Sequence, residues 1–300
     1  MNLLITGAWK CTKEQLNKVE KLGNQIIFMQ NEIDKLPCEY NEVQGVICNG
    51  LFLHHPIEKF TNLRYIQLTS AGFDRVPMDY VQSHGIQIYN AKGVYSVPMA
   101  EFVVGGVLQI YKQQRFFYNN QQNKIWEKRR DLLELFEKIV CVIGCGNVGT
   151  ECAKRFKAFG CKVIGIDLYP RVDENYDNIY GLLEIDTCLS QADVVILTLP
   201  LTTETKHMMN GSRFNAMKKN SVFVNIARGE IVDENALLNA LDKKLMGAVL
   251  DVFSQEPIDE NSLFWQKENV IITPHNSFVG DGNNQRLYQV ILSNLENFKE

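Results

Sequence analysis

Short β-branched runs alternate with amphipathic, helix-compatible stretches along the whole chain, and that alternation admits few folds. A parallel strand cannot reach its neighbour through a tight turn; it needs a long crossover, usually a helix. The pattern therefore predicts parallel sheets covered by helices on both faces, an α/β doubly wound architecture. In the first third the strand candidates are NLLIT, QIIFM, GVIC, RYIQL and IQIY, which predict a small flavodoxin-like sheet. A long helical stretch, read from Val97 to Asn120, separates them from KIVCVIG, KVIGID, DVVILTL, SVFVNIA, GAVLDVF and NVIITPH. That second series predicts a larger α/β unit. The last stretch, NQRLYQVILSNLENFKE, has helical periodicity and no strand after it. A terminal helix folding back on the first unit would make that unit discontinuous, residues 1–92 plus 280–300, with 93–279 as the second.

At 300 residues, 45% of them hydrophobic, the chain can fill two ordinary cores. A formal charge of -4 gives no overall basic field, so neither nucleic acid nor anionic membrane is an expected partner. No apolar run reaches the ~18 residues of a membrane span, and MNLLITGAWK lacks the features of a secretory signal. The chain reads as soluble, unprocessed and cytoplasmic. Eight cysteines form no CxxC pair, and several lie in apolar runs, the pattern of buried free thiols in a reducing compartment. Cys145 sits in a glycine-rich turn, where a redox role is the competing reading.

KIVCVIGCGNVGTECAKRFKAFG sets an apolar strand directly before Gly144, Gly146 and Gly149 and a helix directly after. In this context the first glycine permits a tight turn, the second lets backbone approach a pyrophosphate, and the third lets helix pack on strand. The amides of Asn147 and Val148 would then face phosphates at the positive helix end. The next strand ends in Asp167, whose carboxylate can accept from ribose hydroxyls and would repel a 2′-phosphate. NAD is thus expected over NADP, although Arg171 follows closely. The competing reading is a glycine turn with no ligand.

Three ionisable residues lie just past apolar runs: Arg228 after SVFVNIA, Glu256 after GAVLDVF and His275 after NVIITP. Ligands of open parallel sheets bind at the carboxyl ends of strands, so the three can converge on a cofactor crevice. The types suit reduction of a 2-oxo acid. Arginine offers a planar fork to a carboxylate and a carbonyl oxygen, histidine a proton near neutral pH, and a carboxylate orients the ring. Taken singly, each has a plainer reading: a surface ion-pair former, a solvated loop acid, a loop histidine. His54, His55, His84 and His207 lack comparable context and read as surface or capping residues. No metal-ligand spacing links them.

These segments resemble the D-isomer-specific 2-hydroxyacid dehydrogenase family, as do QLTSAGFDRVP, NAKGVYSVPMAE, LPLTTETKHMMN and MKKNSVFVNIARGEIVDENALLNAL, in the same order. The resemblance implies that Arg228 binds substrate carboxylate and carbonyl, that His275 is the acid/base and that Glu256 is its partner. It further implies that Asp251 holds the nicotinamide carboxamide, with Ile226 and Ala227 lining that pocket. Leu199, Pro200, Thr205 and Ser277 fall at cofactor-contact positions by the same resemblance. Asn49, Gly50 and Leu51 of VICNGLF match the place of a loop whose backbone receives the substrate carboxylate. A homodimer built around the cofactor domains, with the helix after Ser96 contributing, is also implied.

The chain departs from many relatives after His275, reading Asn276, Ser277, Phe278 where they carry an isoleucine and a glycine pair. Its end at Glu300 leaves no room for the regulatory domain of longer phosphoglycerate dehydrogenases, so serine feedback is not expected. A corepressor-like NAD sensor on the same scaffold is the alternative function, and an unrelated NADP-dependent reductase a third. Side chains near Leu51, Phe52, Ser70 and Tyr95 are expected to choose the acid. Lys92 reads as a solvated loop lysine, and no basic cluster marks the first domain, which favours an unphosphorylated acid.

Overall fold

A computed structural model describes residues 1–298. The chain folds as two units, Met1–Tyr95 with Gly280–Glu300, and Ser96–Val279. Lys299 and Glu300, which the expected terminal helix included, lie outside the described residues.

The first unit carries β1 (Asn2–Thr6), β2 (Gln25–Met29), β3 (Gly45–Cys48), β4 (Tyr65–Leu68) and β5 (Gln87–Tyr89). They form one parallel sheet in the order β2-β1-β3-β4-β5, which reverses direction between β1 and β3. Alternate residues feed opposite core layers: Leu4, Val46 and Cys48 on one face, Leu3, Ile5 and Ile47 on the other. The terminal helix Asn283–Asn297 places Leu287, Ile291 and Leu295, four residues apart, in the second of these layers. Asn294 Nδ2 donates to Gln67 Oε1 at 2.7 Å, which fixes the helix to β4.

The second unit carries β6 (Ile139–Ile143), β7 (Lys162–Ile166), β8 (Asn178–Tyr180), β9 (Val194–Leu197), β10 (Val222–Asn225), β11 (Gly247–Leu250) and β12 (Val270–Ile272). All are parallel, in the order β12-β11-β10-β9-β6-β7-β8, with the direction of winding reversing between β6 and β9. Val195 and Leu197 belong to one core layer and Val194 and Ile196 to the other, which is why these strands read as unbroken apolar runs. The architecture is therefore two parallel-sheet α/β units, as the alternation predicts. β8 was not anticipated: it is three residues at the sheet edge, preceded by a polar stretch.

The single helix expected from Val97 to Asn120 is instead two, Ser96–Tyr111 and Gln114–Gln122. The chain returning at Leu133 breaks the ladder. Its amide donates to Tyr111 O at 3.1 Å, its carbonyl accepts from Lys112 Nζ at 2.6 Å, and Gln113 turns left-handed at φ 52°. Among the described residues, no helix is long and apolar enough to cross a membrane.

Candidate functional site

The glycine turn after β6 is built by contacts that leave little choice of residue. Gly144 has φ 99°, and a Cβ there would lie 3.0 Å from Leu199 N, so both its conformation and its space exclude a side chain. A Cβ on Gly149 would sit 2.1 Å from Gly144 O and 3.0 Å from Thr198 Oγ1 and Val142 Cγ1, so the helix Asn147–Ala158 rests directly on the strand end. Gly146 differs: it is exposed, and an added Cβ would meet nothing within 4 Å. Open space therefore precedes the first amides of a twelve-residue helix, among them those of Asn147 and Val148. A pyrophosphate fits such a place, because unpaired N–H groups and the helix dipole both favour negative charge.

Asp167, directly after β7, is tied to this turn. Its Oδ2 accepts from Cys145 N at 2.8 Å and its Oδ1 from Tyr169 N at 3.0 Å. A carboxylate has about four lone-pair sites, so capacity remains for ribose hydroxyls. Arg171 donates to Cys145 O and lies 4.0 Å from Asp173, placing a cation beside the same turn. Cys145 itself is buried, and burial pushes its thiol up to about 12, so it stays protonated and inert at neutral pH. After β9, Thr205 Oγ1 donates to Pro200 O at 2.8 Å and accepts from Thr202 N at 2.7 Å, folding the loop that begins at Leu199 onto itself.

Arg228, Glu256 and His275 follow β10, β11 and β12, three adjacent parallel strands whose carboxyl ends share one edge. The turn after β10 is fixed by Asn225, which accepts from Ala227 N and donates to Arg228 O, both at 3.0 Å. Ile226 and Ala227 bury their side chains in opposite core layers, and Arg228 emerges exposed, its Nη1 donating to Ala227 O at 2.7 Å. Gly229 then meets the next loop: a Cβ there would lie 1.8 Å from Phe253 C and 2.2 Å from Ser254 N. Only glycine lets the β10 and β11 loops touch, which sets Arg228 relative to Glu256.

Glu256 Oε1 accepts from Phe253 N at 3.1 Å, and its Oε2 lies 2.8 Å from His275 Nδ1. A carboxylate can only accept, so Nδ1 carries the proton and Nε2 is left to exchange one with a ligand. Asp251, 1% exposed, holds the histidine in place. Its backbone carbonyl accepts from His275 N at 2.8 Å, its Oδ1 from Thr273 Oγ1 at 2.6 Å and Asn276 N at 2.7 Å, and its Oδ2 from Ser277 N at 3.0 Å. Hydrogen bonds to a charged acceptor contribute about 1.5–3 kcal/mol each, enough to hold His275 in the left-handed region at φ 50°. Asp251 was expected at the nicotinamide carboxamide; the structure shows it organising the His275 loop, and such a contact would have to use what is left of Oδ2. Phe278 sets its ring edge-on to His275, centroids 6.1 Å apart.

In the first unit, Asn49, Gly50 and Leu51 directly follow β3, but their amides are not presented as expected. Asn49 N donates to Glu32 Oε1 and Gly50 N to Glu32 Oε2, both at 2.6 Å. Leu51 and Phe52 are buried in the core of the first unit. Ser70 Oγ donates to Gly72 O, and Tyr95 Oη to Thr69 O. His54 and His84 cap short helices and His207 is exposed, but His55 is a correction. It is buried, with Nδ1 2.9 Å from Tyr40 Oη and Nε2 3.0 Å from Glu32 O. Sequence reading missed Glu32, Gly229, Asn225 and Thr273. Gly229, between Arg228 and Glu230 just past the apolar strand, carried the one local signal.

The D-isomer specific 2-hydroxyacid dehydrogenase NAD-binding domain model matches residues 104–277. A glyoxylate reductase of Thermofilum pendens is 33% identical over 241 residues, 78% of this chain and 71% of that protein. A D-3-phosphoglycerate dehydrogenase of Methanocaldococcus jannaschii is 35% identical over 222 residues, 73% of this chain but 42% of the relative, so the chain spans less than half of that protein. Among solved structures, a D-lactate dehydrogenase of Aquifex aeolicus complexed with NAD and lactic acid superposes with TM-score 0.77 at 26% identity, covering 98% of this chain and 94% of the other. With the glycine turn, the Asp167 carboxylate and the three strand-end residues already in place, these matches mean that the chain belongs to the D-isomer-specific 2-hydroxyacid dehydrogenase family.

Proposed function

We propose that the protein reduces a small, unphosphorylated 2-oxo acid to its D-2-hydroxy acid with NADH, and runs the reverse oxidation with NAD. The observation that carries this reading is the 2.8 Å contact between His275 Nδ1 and Glu256 Oε2, on the strand edge that also bears Arg228. The Gly144–Gly149 turn, Asn147, Val148 and Asp167 would hold the dinucleotide, with Leu199, Pro200, Thr205, Ile226, Ala227, Asp251 and Ser277 beside it. When bound, the reduced nicotinamide supplies a hydride to C2 of the acid. Arg228 grips the carboxylate and the carbonyl oxygen, drawing negative charge toward that oxygen. His275 Nε2 gives its proton to the same oxygen, while Glu256 balances the imidazolium from the Nδ1 side.

Asp167 supports preference for NAD, since its charge would face a 2′-phosphate; Arg171, held on Cys145 O, offsets part of that repulsion. The test is loss of NADH absorbance with glyoxylate, hydroxypyruvate, pyruvate, phenylpyruvate and branched 2-oxo acids, repeated with NADPH. Turnover of at least one acid is expected, with kcat/KM for NADH about tenfold or more above NADPH, a ~1.4 kcal/mol difference. No turnover of any acid, with NADH still bound, would instead favour the sensor reading. Equal use of both cofactors would remove Asp167 as the discriminator.

The same reading makes the protein a homodimer in the cytoplasm. Trp126, Tyr118 and Phe136, which follow the Ser96–Tyr111 helix, are 97%, 61% and 62% exposed, an apolar surface suited to a second copy. The described cysteines are all free thiols, which accords with a reducing compartment. Sedimentation equilibrium should return twice the chain mass; a monomer at micromolar concentration would refute the dimer.

A further inference from the structure

The chain holds two Asn–Gly pairs, Asn49–Gly50 and Asn210–Gly211, and the fold treats them in opposite ways. Such a pair converts spontaneously when the glycine amide nitrogen, having given its proton to solvent base, bonds to the asparagine Cγ. Glycine, with no side chain, admits the approach. The Cγ–Nδ2 bond breaks and ammonia leaves; water then opens the cyclic imide to an aspartyl or isoaspartyl residue. The reaction needs an unbound glycine N–H, freedom for it to turn toward Cγ, and support for the negative charge that passes onto Oδ1. At Asn49 all of these are denied. Gly50 N donates to Glu32 Oε2 and Asn49 N to Oε1, both at 2.6 Å, so a carboxylate stands where the amide nitrogen would have to become anionic. Thr6 Oγ1 donates to the same carboxylate at 2.7 Å, and Glu32 O accepts from the buried His55, so the acid is itself fixed. Asn49 Oδ1 is buried with no hydrogen-bond partner, and an oxyanion there would be both desolvated and unanswered. Asn210, by contrast, is exposed. Its Oδ1 accepts from Arg213 N at 3.2 Å, an N–H already placed to hold the developing charge. Gly211 opens the short helix Gly211–Ala216, whose first amides have no intrahelical acceptor, and among the described residues its N–H makes no hydrogen bond.

We propose that Asn210 is a site of spontaneous deamidation in the native protein, and that Glu32 is the guard that keeps Asn49 from the same reaction. Each conversion consumes one water and releases one ammonia, so no other reactant is needed. The two products are not equivalent for the fold. An aspartate at 210 caps the helix as well as asparagine does, so that product is tolerated. A carboxylate at 49 would face Glu32, like charge against like charge.

Ageing the full-length chain at mildly alkaline pH, folded and in guanidinium chloride, reads both sites by peptide mass and isoaspartate content. Trypsin separates them, releasing Asn49 between Lys35 and Lys59 and Asn210 between Lys206 and Arg213. In guanidinium chloride both should convert at similar rates. In the native fold Asn210 should convert first, and Asn49 about tenfold or more slowly than when unfolded, the effect of one charge-assisted hydrogen bond. Folded Glu32→Gln and Glu32→Ala should bring Asn49 back toward its unfolded rate and leave Asn210 unchanged. Should neither variant fold, amide exchange in the native chain supplies the contrast: slow at Gly50, fast at Gly211. An Asn210 that does not convert ahead of Asn49 in the native fold overturns the proposal, as does a Gly50 amide that exchanges as fast as that of Gly211. Folded Glu32 variants whose Asn49 stays as slow as in the native chain overturn the guard. Neither reading depends on catalysis.

Discussion

Replacing His275 by alanine or asparagine lowers turnover about a hundredfold to ten-thousandfold while NADH still binds, the range expected when a positioned general acid is removed. The geometry behind this expectation is one-sided. Glu256 Oε2 occupies the Nδ1 side of the ring at 2.8 Å, so only Nε2 can hand a proton to a ligand. Two variants are needed because His275 sits at φ 50°, where most side chains are strained. Asparagine tolerates that conformation better than alanine and keeps a polar group, yet has no titratable proton. If the alanine effect came from a disturbed loop, asparagine would restore much of the rate; on the proposed role both variants fail alike. Single-turnover rates with NADH preloaded would separate loss of chemistry from loss of cofactor. Near-native turnover in either variant would remove His275 as the acid.

Glu256 and Asp251 act on the same ring from different distances, and only the first was legible in the sequence. Glu256 lies in a short segment whose order is shared across the family, so its pairing could be anticipated. Asp251 works through residues 22 to 26 positions away, Thr273, Asn276 and Ser277, and nothing local announces such a polar cage. Glu32 was invisible for the same reason: its partners lie 17, 18 and 26 residues away, two just past β3 and one at the end of β1. The fold was easier because its signal is local and repeated. Runs such as IVCVI and VVIL are buried on both faces, so they are apolar throughout, and eleven of the twelve strands in the described residues were anticipated. The twelfth, β8, is an edge strand that has only one neighbour to satisfy. The helix break at Gln113 depends on Leu133, twenty residues on, which periodicity within the helix cannot show.

Arg228→Ala should cost about 2–5 kcal/mol in kcat/KM, the penalty for truncating one partner of a buried hydrogen-bonded charge pair, which the guanidinium and the substrate carboxylate become once the bound acid covers them. At ~1.4 kcal/mol per decade this is roughly thirtyfold to several thousandfold. The loss should divide between KM and kcat, because the guanidinium is assigned both a carboxylate present in the ground state and an oxygen that gains charge only later. Arg228→Lys separates the two contributions. Lysine keeps a positive charge but offers no planar fork, so it should recover part of KM and little of kcat. The backbone gives reason to trust the substitution as local: Arg228 is exposed, its carbonyl is held by Asn225, and Gly229 rather than Arg228 carries the contact with Phe253. Stability should therefore change little, and thermal unfolding of the variants checks it. If Arg228→Ala reduced 2-oxo acids with native kcat and KM, the carboxylate would have to be received elsewhere, and the assignment of this strand edge as the reaction site would fall with it.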